Sequence, residues 1–192
     1  MNLRKAIAAI GVIVVLAFAV IGLTLAGILP LGTSLTTTTE PYDWTDHDLL
    51  ERGLYVPDWS FEMVGNYTLT MYELRGKVAV LDFMAISCAP CETQNGYTKS
   101  LYQEYGDTVN ILSLTVNMNE TLLDLGEYAS DQGLMWSCGI DIDLEASTWC
   151  GMIVLPMIVI VDSEGLLRWI HDGVWLFSGP FGMNVTVYQI SS

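Results

Sequence analysis

Positive charge is what this 192-residue sequence has least of: 7 Lys and Arg stand against 22 Asp and Glu, for a formal net charge of −15. Two of those seven, Arg4 and Lys5, lie at the extreme N-terminus, so the chain beyond them carries 5 basic and 22 acidic residues, a balance of −17. Such a surface repels nucleic acid and is not held to anionic lipid by its soluble face. The acidic residues are spread through the chain rather than collected in a tail, a distribution suited to solubility where salt screens self-repulsion. Histidine is scarcer still, with only His47 and His171, and around His171 no paired Ser or Asp spacing supports hydrolysis. Of the four cysteines only Cys88 and Cys91 are close, while Cys138 and Cys150 are twelve positions apart. A tetrahedral thiolate site for zinc needs a second close pair or a nearby His, and the sequence offers neither.

What the sequence does have, first, is one long uncharged run. Ala6 to Leu29 contains 24 residues without a charge, enough at about 1.5 Å per residue to cross a hydrocarbon core of roughly 30 Å. Arg4 and Lys5 precede it and Glu40, Asp43, Asp46 and Asp48 follow, so the positive-inside rule places the N-terminus in the cytoplasm and the rest of the chain outside. Residues 1–30 read as a single-pass membrane anchor. A signal peptide cleaved near the small residues Ala26-Gly27 is the competing reading, although the apolar region exceeds the usual 7–15 or so residues. Residues 31–56 begin with Thr and Ser, turn acidic and have little to bury, which makes them a tether. Residues 57–192 suffice for one domain with an ordinary core.

Inside that domain, the apolar run from Val78 to Ala85 leads directly to Cys88-Ala89-Pro90-Cys91. A strand that ends in Cys-x-x-Cys and opens a helix is built for dithiol-disulfide exchange. One helical turn sets the two thiols side by side. Cys88 falls where unpaired backbone N–H groups and the positive helix end stabilise a thiolate, so it is the expected nucleophile. Cys91, shielded by the first turn, is the expected resolving cysteine. Pro90 suits an early helical position, where its missing N–H would have had no partner. An inert structural bridge and a metal site are the bland alternatives. If Cys88 pairs with Cys91, then Cys138 and Cys150 remain for each other in an exported protein. Their disulfide would be a staple contributing roughly 3 kcal/mol in the chain-entropy model. A second exchange pair relaying electrons to Cys88–Cys91 is its functional rival.

The remaining pattern predicts a hairpin of Phe61–Val64 and Tyr67–Met71 around Gly65-Asn66 and a doubly covered strand over Val78–Ala85. A helix to Tyr105, a strand over Val109–Val116 and a helix over Glu120–Gln132 capped by Asn119 and ended by Gly133 follow. Met135–Ser137 is a short strand candidate, Leu144–Trp149 a short helix, Met157–Val161 a buried strand and Leu166–Ile170 its hairpin partner. Met183–Ile190 reads as a final strand. Together these give an α/β domain, a mixed sheet flanked by helices. Asp82 interrupts the Val78–Ala85 run, and a carboxylate there must reach water, gain a hydrogen-bond partner or carry a raised pKa.

The segment from Leu81 to Cys91 closely resembles the strand and redox loop of the thioredoxin superfamily, and the wider layout from about Pro57 to His171 resembles its membrane-anchored TlpA/ResA-like thiol-disulfide oxidoreductases. The shared pieces are the hairpin with Phe61 and Leu69, the lead-in Leu74-Arg75-Gly76-Lys77, the redox loop, an inserted helix and a Leu155-Pro156 step before a strand. The resemblance implies a thioredoxin-like fold with an N-terminal hairpin extension. It implies that Pro156 is cis and lies against the redox pair, where the preceding backbone binds substrate, and that Asp82 assists proton transfer around the resolving thiol. Two departures stand out: Ser87 replaces the usual Trp before the first cysteine, and no terminal helix is evident after His171. The implied activity is extracytoplasmic disulfide reduction of the cytochrome-maturation type, using no cofactor, on a cysteine-containing protein substrate and recharged by a membrane redox partner. A thiol oxidase, a peroxide-reducing variant and a tethered binding or assembly protein on the same scaffold are the alternatives.

Overall fold

The computed structural model describes residues 54–178 together with Gly182, Met183, Thr186, Val187 and Ile190. Its strands are β1 (Ser60–Met63), β2 (Tyr67–Thr70), β3 (Val78–Met84), β4 (Val109–Thr115), β5 (Ser137–Asp141), β6 (Met157–Val161) and β7 (Leu167–Asp172). Its α-helices are α1 (Ala89–Tyr105), α2 (Leu122–Gln132) and α3 (Glu145–Trp149). All seven strands join one sheet in the order β2-β1-β5-β4-β3-β6-β7. β3 lies at its heart, parallel to β4 and antiparallel to β6, and every one of its residues is buried. A strand covered on both faces needs this near-continuous apolar run.

The pleat divides the core. Ala79, Leu81 and Phe83 point to one face, where they pack with Trp59, Phe61, Trp149 and Val159. Val78 and Val80 point to the other, with Leu101 of α1 and Ile158 and Ile160 of β6. At one end of this second face Met84, Cys91, Leu125, Tyr128 and Cys138 form a further cluster between the sheet and helices α1 and α2. Phe83, fully buried, is the type of side chain whose truncation to Ala costs about 3–5 kcal/mol.

Three expectations from the sequence need correction. The strand expected at Met135–Ser137 is β5, which starts at Ser137 and runs through Gly139. Glycine weakens the strand signal, yet it is required there: a Cβ at Gly139 would stand 2.5 Å from Met63 Sδ and 2.7 Å from the Glu62 carbonyl oxygen of β1. The cap of α2 is Thr121 rather than Asn119, because Thr121 and Asp124 form a reciprocal capping box; Gly133 ends the helix in the left-handed region, as expected. Finally, Met183, Thr186, Val187 and Ile190 are helical rather than extended. Met183 and Val187 are buried and Ile190 packs beside them against the α1 face, the spacing of a helical stripe.

Among the described residues no helix is long and apolar enough to cross a membrane. The anchor expected at Ala6–Leu29 and nearly all of the tether lie outside the described residues.

Candidate active site

β3 ends at Met84, and four residues later Cys88 is the N-cap from which the chain turns into α1. Cys88 has extended backbone angles (φ −90°, ψ 102°), and its Sγ accepts a hydrogen bond from the Cys91 backbone N–H at 3.2 Å. The first sulfur thus takes the place usually held by a capping oxygen, at the end of the helix that favours negative charge. Cys88 and Cys91 form a disulfide with their Cα atoms 5.2 Å apart. Their environments differ: Cys88 is half-buried at the surface, while Cys91 is only 1 % exposed. Pro90 occupies the first turn of α1, where no N–H is needed.

Asp82 faces the same side of the sheet as α1 and is buried. Its Oδ2 accepts a hydrogen bond from Ser113 Oγ at 3.0 Å, and Ser113 Oγ accepts one from Trp136 Nε1 at 2.9 Å. Its Oδ1 has no hydrogen-bond partner among the described residues. Desolvation pushes the Asp82 carboxyl up to about 7, with the Ser113 hydrogen bond opposing that rise. A group titrating there can both take and return a proton near neutrality. Two residues further along β3, Met84 packs in the cluster that holds Cys91.

The Leu155–Pro156 peptide bond is cis. Phe83 of β3 pairs with Met157 of β6, so Pro156 stands just beyond the paired register, beside the end of β3 where the redox turn begins. Leu155 packs on the Met84–Cys91 cluster, as Cys88 does. Ile153 and Val154, immediately before this step, are 88 % and 48 % exposed.

The staple expected between Cys138 and Cys150 is not there: both are free, buried thiols. The sheet separates them. Cys138 stands in the row Asp82, Ser113, Cys138 across β3, β4 and β5, on the α1 and α2 face. Cys150 follows α3 and packs with Trp149 and Phe61 on the opposite face. Side chains on opposite faces cannot meet the geometry of a disulfide without moving the backbone. Burial pushes the Cys138 thiol up to about 12, and the nearby Asp82 charge adds to that. Cys150 is also pushed up, by burial and then by the Asp141 charge. His171 lies on β7, its ring stacked on Trp175 with centroids 5.0 Å apart. No group of three metal-ligating side chains converges among the described residues.

Several residues around the pair had no separate signal in the sequence. Ser113 and Trp136 orient Asp82 only because strand register brings them beside it. Asn95 on α1 donates through Nδ2 to Tyr128 Oη of α2 at 2.8 Å, fastening the redox helix to the inserted one. Glu120, in the β4–α2 connection, accepts a hydrogen bond from the Ile86 backbone N–H at 3.0 Å.

A redox-active Cys-x-x-Cys disulfide at a helix start, above a mixed sheet flanked by helices, defines a thiol-disulfide oxidoreductase of thioredoxin-like fold. The chain belongs to the AhpC/TSA family, whose model matches residues 53–170. It is 26 % identical over 130 residues to thiol-disulfide oxidoreductase ResA of Halalkalibacterium halodurans, covering 68 % of this chain and 73 % of that protein. Against ResA of Geobacillus thermodenitrificans it is 28 % identical over 130 residues, covering 68 % and 74 %. The thioredoxin domain of a thiol-disulfide oxidoreductase from Bacteroides vulgatus has a similar fold, with a TM-score of 0.61 at 17 % identity over 72 % of this chain and 96 % of that one. So does a thiol-disulfide isomerase from Corynebacterium glutamicum, with a TM-score of 0.59 at 16 % identity over 74 % and 99 %.

Proposed function

We propose that the domain reduces disulfides in exported proteins, with Cys88 as the attacking sulfur. The observation that carries this reading is the asymmetry of the pair: an accessible Cys88 capping α1, and a buried Cys91 behind it. In the reduced form the Cys88 thiolate attacks a substrate disulfide. A bond forms between Cys88 Sγ and one substrate sulfur, the substrate S–S bond breaks, and the departing sulfur takes a proton. Cys91 then loses its proton and attacks Cys88 Sγ, which releases the second substrate thiol and leaves Cys88–Cys91 oxidised. Two electrons have passed to the substrate. Asp82, on the strand beneath and titrating about 7, accepts the Cys91 proton. The backbone before Pro156 holds the incoming chain, and the exposed Ile153 and Val154 give that chain apolar contact beside the disulfide.

The rest of the reading is physiological. The run Ala6–Leu29 anchors the protein in the membrane with its domain outside, as a reductase of the cytochrome-maturation type would require. A membrane dithiol donor returns two electrons to Cys88–Cys91 after each turnover.

The test uses insulin as an accessible protein disulfide and dithiothreitol as the electron source. Cys88→Ser is expected to lose at least ~100-fold in turnover, and Cys91→Ser to accumulate a mixed disulfide through Cys88. Turnover surviving in Cys88→Ser would show that Cys88 is not the attacking sulfur. A glutathione-referenced potential close to that of the strongly oxidising class, about −120 mV, would reverse the direction and make the protein an oxidase.

A further inference from the structure

We infer that Glu120 is a positioning residue for the redox turn, setting the reactivity of Cys88 without touching it. Glu120 lies 32 positions from Cys88 in the connection from β4 to α2, an element that carries no cysteine. Its half-buried carboxylate gathers three donors from two separate segments. Oε1 accepts from the Ile86 backbone N–H at 3.0 Å and from Asn117 Nδ2 at 2.9 Å, and Oε2 accepts from Thr115 Oγ1 at 2.5 Å. Thr115 and Asn117 are themselves bonded, since the Asn117 N–H donates to Thr115 Oγ1 at 3.2 Å. The carboxylate is therefore fixed to the end of β4 and reaches across to the turn between β3 and α1.

Ile86 precedes Cys88 by two residues, so its orientation sets the path on which the chain enters the cap. That path decides whether Cys88 Sγ faces the Cys91 N–H, now 3.2 Å away. A helix-start donor stabilises a thiolate only while the sulfur stays in line with it. Freeing the Ile86 N–H loosens this alignment, and the Cys88 thiol then titrates higher and reacts more slowly at neutral pH. Charge alone would act in the opposite sense: a carboxylate near a thiol disfavours the thiolate, so losing the charge would speed Cys88. Reach and charge can thus be separated.

The inference rests on Cys88 being the attacking sulfur, and the experiment tests the two apart. In the reduced full chain, iodoacetamide alkylation is followed from pH 5 to 9 and the modified cysteine is identified by peptide mass. Glu120→Asp keeps the charge but is one methylene too short for Ile86. Glu120→Gln keeps the reach and loses the charge. The expected result is that Glu120→Asp moves the pH midpoint of Cys88 alkylation upward by about half to one unit, slowing the rate at pH 7 by ~3–10-fold. Glu120→Gln should stay within ~2-fold of the parent or react faster. An unchanged midpoint in Glu120→Asp, or slowing in Glu120→Gln equal to that in Glu120→Asp, overturns the inference. If Glu120→Asp does not fold, Thr115→Val takes its place, since it releases Oε2 while keeping the charge, and is judged by the same rule. Alkylation of Cys91 ahead of Cys88 in the parent protein would instead overturn the proposed function, whatever the variants do.

Discussion

Cys88 and Cys91 sit at a helix start where one sulfur meets solvent and the other lies beneath it. Cys138 and Cys150 sit within the sheet and behind α3, each buried in an apolar cluster with one carboxylate nearby and each on its own face of the sheet. The four residues are chemically identical, and the first two are separated from the others only by surroundings. Backbone donors and access favour exchange at the first pair. Desolvation and neighbouring carboxylates hold the other two as thiols. Counting cysteines in an exported chain argues for two disulfides, whereas placing them on a sheet argues for one.

Differential alkylation presses hardest on this contrast. With a thiol titrating about 12, Cys138 is expected to react ~10³-fold more slowly at pH 8 than an ordinary cysteine, before access is counted. The oxidised protein should therefore take up no label while folded and two equivalents in 6 M guanidinium, as read by mass. Folded protein that resists label and still shows no new thiols on unfolding would restore the Cys138–Cys150 bridge. Next in size is Asp82→Asn, which should slow resolution by Cys91 at pH 7 by ~10–100-fold while sparing the first attack. The same variant carries a stability signature. The carboxyl is raised in the folded state, so between about pH 4 and 7 the folded protein holds a proton that the unfolded chain has lost. Stability contributed by Asp82 is thus intact at low pH and declines as pH rises through that window, by at most ~4 kcal/mol. Asp82→Asn should flatten the decline in denaturant titrations, and a slope unchanged from the parent would place the titration elsewhere.

Smaller effects sharpen the picture of the buried thiols. Cys150→Ser puts a hydroxyl in an apolar site and should destabilise by ~1–3 kcal/mol, with insulin reduction unchanged within ~2-fold. A loss of turnover there would revive the electron relay between the pairs. The mildest expectation links the two regions: because the Asp82 charge is the lesser of the two causes that raise Cys138, Asp82→Asn should modestly speed alkylation of Cys138 at high pH.

Elements with a strong local pattern were legible. β3, β6 and the redox helix follow from apolar runs and from Cys-x-Pro-Cys chemistry in adjacent residues, and Cys88, Cys91, Asp82 and Pro156 all lie in or beside them. What escaped depends on register or on distant partners. Ser113 stands next to Asp82 only because β4 pairs with β3 residue for residue. Gly139 lowers the strand signal of β5 at the point where β1 approaches most closely. The opposed faces of Cys138 and Cys150 cannot be seen until the sheet exists, which is why pairing them by elimination failed. The helical residues after Gly182 are hidden for another reason: the aromatic, Gly-rich stretch before them carries no helical period of its own, and burial against α1 supplies what local propensity does not.

One side chain gives the chain's last described segment a claim on its redox helix. Gln94, one turn beyond Cys91, accepts the Trp175 N–H at 2.8 Å through Oε1 and donates through Nε2 to Thr98 Oγ1 and to Met183 Sδ. Met183 and Val187 then cover Val78, Val80 and Leu101. Synthesis from the N-terminus delivers all four cysteines before it delivers this cover. In the exported setting proposed above, the α1 face stays open and the thiols stay reachable by oxidants until Trp175, Met183 and Val187 arrive, so maturation of this oxidoreductase waits on the segment that follows β7.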